Sequence, residues 1–141
     1  ETKRGGLMMA YTITKASNPM SIEEREYETA KEVKFTKFTS CIGVLAMVDK
    51  DKVRGIHLAI NDPQDNKITE KDLTQVINLV PANSSQVKVI GEIEVWKRSV
   101  KKVYDSLLEQ LKKKSLDVQE YPFGSGVYGG KVEDGKIEIT Y

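Results

Sequence analysis

The sequence predicts an α/β fold, a layered sandwich in which a mostly antiparallel mixed sheet is packed by two or three helices. Three observations predict it. Two apolar runs, 41–48 and 53–60, flank the charged stretch Asp49-Lys50-Asp51-Lys52 and read as a hairpin. Strands apolar on nearly every residue are buried on both faces, which calls for a layer above and a layer below. The segment 99–114 repeats Val100, Val103, Tyr104, Leu107, Leu108 and Leu111 at helical spacing, with lysines on the opposite face. Short alternating stretches at 116–121, 127–132 and 136–140 then read as closing strands, the last two joined by Glu133-Asp134-Gly135.

The other elements follow in order. Residues 10–15 alternate like a short strand. Ser21-Ile22-Glu23-Glu24 has a capping-box pattern that predicts a helix through about residue 31. Thr69-Glu70-Lys71-Asp72 opens a helix carrying Leu73, Val76, Ile77 and Val80, and Pro81 ends it. Residues 86–96 alternate as a strand with Val87, Val89, Ile93 and Val95 inward, Trp96 being a core residue at its end. One domain, 10–141, is expected; residues 1–9 read as a cloning remnant or a disordered start.

Composition narrows the function classes. Twenty-two basic and 21 acidic side chains leave a formal net charge of +1, too small a field to hold nucleic acid or a membrane surface. The longest apolar run is too short to cross a bilayer and no signal peptide is visible, so a soluble monomer without membrane insertion is expected. One cysteine and one histidine make neither an internal disulfide nor a tetrahedral zinc site.

Several motifs fail on context. Gly124-Ser125-Gly126-Val127-Tyr128-Gly129 matches G-x-G-x-x-G, but the fingerprint needs a following helix within a βαβ unit, and the residues after it read as strands. As a phosphate loop it lacks the first glycine and, at Val132, the magnesium hydroxyl. It reads as a tight or flexible loop. Lys112-Lys113-Lys114 complements a helix C-terminus. Asp49 and Asp51 are turn residues, since Val53 and Arg54 stand where a calcium loop needs oxygen ligands and glycine.

Cys41 and His57 remain. A lone cysteine in an apolar strand is most often a small buried hydrophobe. Here it heads its strand after Thr39-Ser40, and His57 lies on the partner strand. With a turn at 49–52, facing residues have numbers summing to about 100, which puts position 59 or 60 opposite Cys41 and His57 a small offset away. A neighbouring imidazole can take the thiol proton and leave a nucleophilic thiolate.

These residues resemble the chemotaxis receptor deamidase (CheD) family and the related catalytic domain of cytotoxic necrotizing factor. Thr39-Ser40-Cys41-Ile42-Gly43-Val44 is similar to the Ser-Cys element that opens a strand there. Arg54-Gly55-Ile56-His57-Leu58-Ala59-Ile60 is similar to the histidine strand, and 129–139 to the closing hairpin. The resemblance implies a bacterial protein-glutamine deamidase that needs no metal or organic cofactor. Its partner would be a protein bearing a reactive glutamine, either a chemoreceptor in the bacterial cytoplasm or, for a secreted effector, a host protein such as a Rho-family GTPase. It assigns Cys41 as nucleophile, His57 as base, and backbone N–H groups near Ser40 and Cys41 as oxyanion donors. A threonine several residues before the cysteine positions the histidine in that family. Thr36 stands one position closer than that, and Thr39 stands where glycine is more usual. A papain-like protease fits less well, because its cysteine belongs at a helix N-terminus. The rival of another class is a non-catalytic α/β interaction module with a buried structural Cys41.

Overall fold

The structure, a computed structural model, describes residues 10–141. The expected leader, 1–9, lies outside the described residues. In chain order the strands and helices are β1 (Thr14–Lys15), β2 (Glu26–Ala30), β3 (Glu32–Lys34), β4 (Ile42–Asp49), β5 (Lys52–Leu58), α1 (Leu73–Leu79), β6 (Val87–Gly91), α2 (Ile93–Ser99), α3 (Lys101–Lys114), β7 (Val118–Tyr121), β8 (Gly129–Glu133) and β9 (Lys136–Thr140). They make three layers. A six-stranded mixed sheet of order β1-β2-β5-β4-β6-β7 lies between the helices and a three-stranded sheet of order β3-β8-β9. This is the α/β sandwich expected from the sequence.

The double coverage explains the two apolar runs. Ile42, Val44, Ala46, Ile56 and Leu58 pack against Leu73, Val76, Trp96, Tyr104 and Leu107 on the helical side. The alternate positions Cys41, Leu45, Met47 and Val53 face Val33, Val132 and Ile137 of the small sheet. Successive strand residues point to opposite faces, so only a strand with a layer on each side is apolar throughout. The hairpin register is as anticipated: Ile42 faces Leu58 and Gly43 faces His57. Its turn is closed by the Asp51 N–H donating to Asp49 Oδ1 at 3.0 Å, the role expected of these aspartates.

Two expectations are corrected. The predicted helix at 21–31 is a single turn followed by β2. The Glu26 carboxylate does reach back to the Glu23 N–H, at 2.9 Å, and the Glu26 N–H reaches the Glu23 carbonyl. Arg25, however, adopts a left-handed φ of 60°, which stops helix propagation, and Tyr27 and Thr29 then pair with β5. The predicted strand at 86–96 ends at Gly91, whose φ is 111°. Beyond it Ile93 and Trp96 sit one helical turn apart in α2 and enter the core. Trp96 is thus core, as expected, but from a helix. The helix after Thr69 and the long helix formed near their expected bounds, the former after a 3-10 turn at Glu70–Asp72. The glycine cluster of 124–129 is a loop running into β8. Among the described residues no helix is long and apolar enough to cross a membrane.

Candidate active site

Cys41 stands at the head of β4 and His57 near the end of β5, and both face the layer between the two sheets. His57 lies opposite Gly43, so the sulfur and the imidazole are diagonal neighbours on one face, where Cα atoms stand roughly 7–8 Å apart. The head of β4 is held from the helical side. Trp96 donates its indole N–H to the Ser40 carbonyl at 2.9 Å, and the Glu92 N–H donates to the Cys41 carbonyl at 3.0 Å. Only glycine fits at 91 beneath this contact. A Cβ there would come within 2.9 Å of the Cys41 carbonyl oxygen and 2.6 Å of the Phe38 ring.

The imidazole is completely buried. Its ring meets Phe38 edge-on at 4.8 Å between centroids and Phe35 at 5.6 Å. Nδ1 lies 2.8 Å from the Ile22 carbonyl oxygen. A carbonyl can only accept, so Nδ1 carries the proton and Nε2 carries the lone pair. Nε2 is buried and has no hydrogen-bond partner among the described residues. Burial holds the imidazole below its usual value of 6.5, outweighing the Ile22 carbonyl, which favours the charged form. At neutral pH His57 is therefore a neutral base with a fixed tautomer.

The thiol is closed in. Cys41 is 1% exposed, and its S–H donates to Glu24 Oε2 at 3.6 Å rather than to His57. Burial and the adjacent Glu24 carboxylate push the thiol from 9.0 up to about 12, against smaller opposing effects of Arg25 and the Ser40 backbone N–H. The surface depressions at 47–50 with 81–85, at Glu70 with Lys102 and Asp105, and at 133–138 all lie away from it.

The structure separates the predicted supporting residues. Thr36 makes no hydrogen bond to the imidazole. Its N–H donates to the Ile22 carbonyl at 2.9 Å and its hydroxyl reaches the same oxygen at 3.4 Å, so it braces the acceptor of the His57 proton. Thr39 is exposed and makes no hydrogen bond to the imidazole; Ser40 is half-buried beside it, with the Ser40 carbonyl committed to Trp96. Sequence reasoning missed Ile22, Glu24, Arg25 and Phe38. A backbone carbonyl carries no sequence signature. The Glu24 and Arg25 contacts depend on the turn at 23–26, whose composition is that of a helix start. Among the described residues no group of three or more His, Cys, Asp or Glu side chains is placed to hold a metal ion.

The site thus comprises a strand-head thiol, a neutral imidazole with its free nitrogen on the same face, and a main-chain carbonyl fixing that imidazole. No protein-family model matches the chain, and no curated protein matches it.

Proposed function

We propose that the chain is a protein-glutamine deamidase working through Cys41 and His57. The observation that carries the reading is the His57 tautomer. Its Nδ1–H is spent on the Ile22 carbonyl, which leaves a buried, unpartnered Nε2 on the sulfur's side of the sheet. An unpaired buried acceptor is costly, on the order of 1–3 kcal/mol, and such groups concentrate where chemistry uses them.

In the proposed cycle the S–H leaves Glu24 and passes its proton to Nε2. The thiolate attacks the side-chain carbonyl carbon of a glutamine, with N–H groups near Ser40 and Cys41 holding the oxyanion. His57 returns the proton to the departing ammonia, and the carbon–nitrogen bond breaks to leave a thioester. Water, deprotonated by the same nitrogen, cleaves the thioester to glutamate and restores the thiol. The Ile22 carbonyl stabilises the imidazolium formed twice in this cycle. The substrate is a chemoreceptor in the bacterial cytoplasm, or a host protein if the chain is delivered as an effector.

The test is peptide mass spectrometry on a chemoreceptor cytoplasmic fragment and on a Rho-family GTPase, each incubated with the protein. Glutamine should become glutamate, and Cys41→Ser and His57→Ala should abolish the conversion. Conversion that survives Cys41→Ser refutes the mechanism.

A second reading, a non-catalytic interaction module, draws on two different observations. The thiol is closed and its proton strongly held, as suits a core cysteine. Phe123, Val127 and Tyr141 are 40%, 45% and 78% exposed, an unusual gathering of apolar surface around Tyr128. That reading predicts unchanged partner binding after Cys41→Ser and its loss after Phe123→Ala with Tyr141→Ala.

A further inference from the structure

The Glu24 side chain is the one polar side chain on the Cys41 sulfur among the described residues, and its placement has the form of a reaction product. The turn at 23–26 holds its backbone beside His57: the Ile22 carbonyl accepts from Nδ1, and the left-handed Arg25 donates its N–H to the His57 carbonyl at 2.8 Å. From between them the Glu24 side chain reaches the head of β4, with Oε2 at 3.6 Å from Sγ and Oε1 at 3.4 Å from the Arg25 guanidinium. That guanidinium is itself fixed to the Asn61 carbonyl at 2.9 Å. A glutamyl carboxyl group therefore lies against the nucleophile, with one of its oxygens within hydrogen-bond reach of the sulfur. The side chain is also 49% exposed, so it can swing into solvent without disturbing the core.

We propose that Glu24 occupies the place of the substrate's side-chain carboxyl group, as an internal product mimic that keeps the resting site closed until a substrate glutamine displaces it. The inference rests on the deamidase reading. A glutamyl side chain is what that reaction leaves at the sulfur, and a carboxylate, unlike a carboxamide, has no amine leaving group and is inert to a thiolate. The same position filled by a carboxamide would be attacked. Replacing Glu24 by glutamine should therefore turn the cap into a substrate in cis. Cys41 would pass its proton to His57 and add to the carboxamide carbon of the new side chain. Ammonia would then leave with that proton, and water would hydrolyse the thioester to glutamate and thiol.

The test is the purified Glu24→Gln protein, followed by peptide mass spectrometry of the 21–31 region over time. The expected result is conversion of residue 24 to glutamate at a rate independent of protein concentration, and none in Glu24→Gln combined with Cys41→Ser. A position 24 that stays an amide, in a preparation that still deamidates the receptor fragment or the GTPase, overturns the mimic and leaves the deamidase intact. No conversion at residue 24 or in either added protein overturns both. A Glu24→Ala protein gives an independent measure, since uncovering the sulfur should speed iodoacetamide alkylation of Cys41 by about tenfold or more. An unchanged rate overturns the cap.

Discussion

The state of the thiol can be measured without any substrate. At neutral pH a cysteine with its ordinary value of 9.0 is ionised to about one part in a hundred, whereas Cys41, pushed up to about 12, is ionised to about one part in a hundred thousand. The thiolate is the reacting species, so ionisation alone slows alkylation about a thousandfold. A more basic thiolate is also a better nucleophile, and a Brønsted slope of about 0.4–0.5 restores about 15- to 30-fold. The folded protein should therefore react about 30- to 60-fold more slowly with iodoacetamide than the same chain in denaturant, before steric closure slows it further. The assay is the second-order rate from pH 6 to 11, read by intact-protein mass. In the native protein the rate should climb tenfold per pH unit well past 9. In Glu24→Ala it should level off at lower pH, because the second- and third-largest causes of the shift are removed. A native rate that levels off near 9, or a plateau already present at neutral pH, would refute the reasoning. The first would mean that burial and Glu24 do not hold the proton, and the second that a thiolate–imidazolium pair already exists at rest.

Two further outcomes follow from the same geometry. His57 is held below 6.5 by burial, so the folded state favours its neutral form. The stability this reflects is fully present above the unfolded value near 6.5 and is lost as pH falls through the lower folded value. The urea midpoint should drop over that acid range, and less steeply in His57→Gln, whereas equal slopes would show that His57 is not the group responsible. Gly43→Ala would put a Cβ at 2.6 and 2.8 Å from the Phe35 ring and 2.9 Å from Phe38, the two rings packed on His57. Overpacking of this kind costs about 1–3 kcal/mol. Urea denaturation should show that loss, and a neutral substitution would mean that the rings have room to retreat.

Much of the fold was legible because its signals are periodic. The hairpin of β4 and β5 announced itself by two apolar runs and a charged turn, and its register followed from the turn position alone, which was enough to set Cys41 and His57 near each other. Helix α3 was legible from Val103, Tyr104, Leu107 and Leu111, all of which are buried. The failures have local causes. The pattern at Ser21–Glu24 is a helix start by composition, and a back-reaching glutamate contact did form at Glu26, but β2 pairing with β5 outweighs one turn of helix. At 86–96 the alternation of Ile93 and Val95 masked the helical spacing of Ile93, Trp96 and Val100, which with Gly91 was a usable signal. Threonine hydroxyls are the partners that the sequence offers the histidine, whereas its actual partner is the Ile22 main-chain oxygen. Thr36 lies in the right neighbourhood but acts one bond further away.

The turn from Ile22 to Arg25 concentrates three separate demands on the site. Its first carbonyl sets the tautomer of His57, its last N–H ties down the backbone of His57, and the side chain between them covers the sulfur. A movement of the whole turn would uncover Cys41 but release the imidazole from the carbonyl that orients it, giving an accessible nucleophile with a misaligned base. A movement of the Glu24 side chain alone keeps both backbone contacts. The left-handed Arg25 favours the second course, because β2 begins at the next residue and its pairing with β5 holds that backbone in place. Opening of the proposed site is therefore a side-chain event at Glu24. A group that competes for the sulfur, and so draws the carboxylate into solvent, suffices to bring the thiol and Nε2 into play.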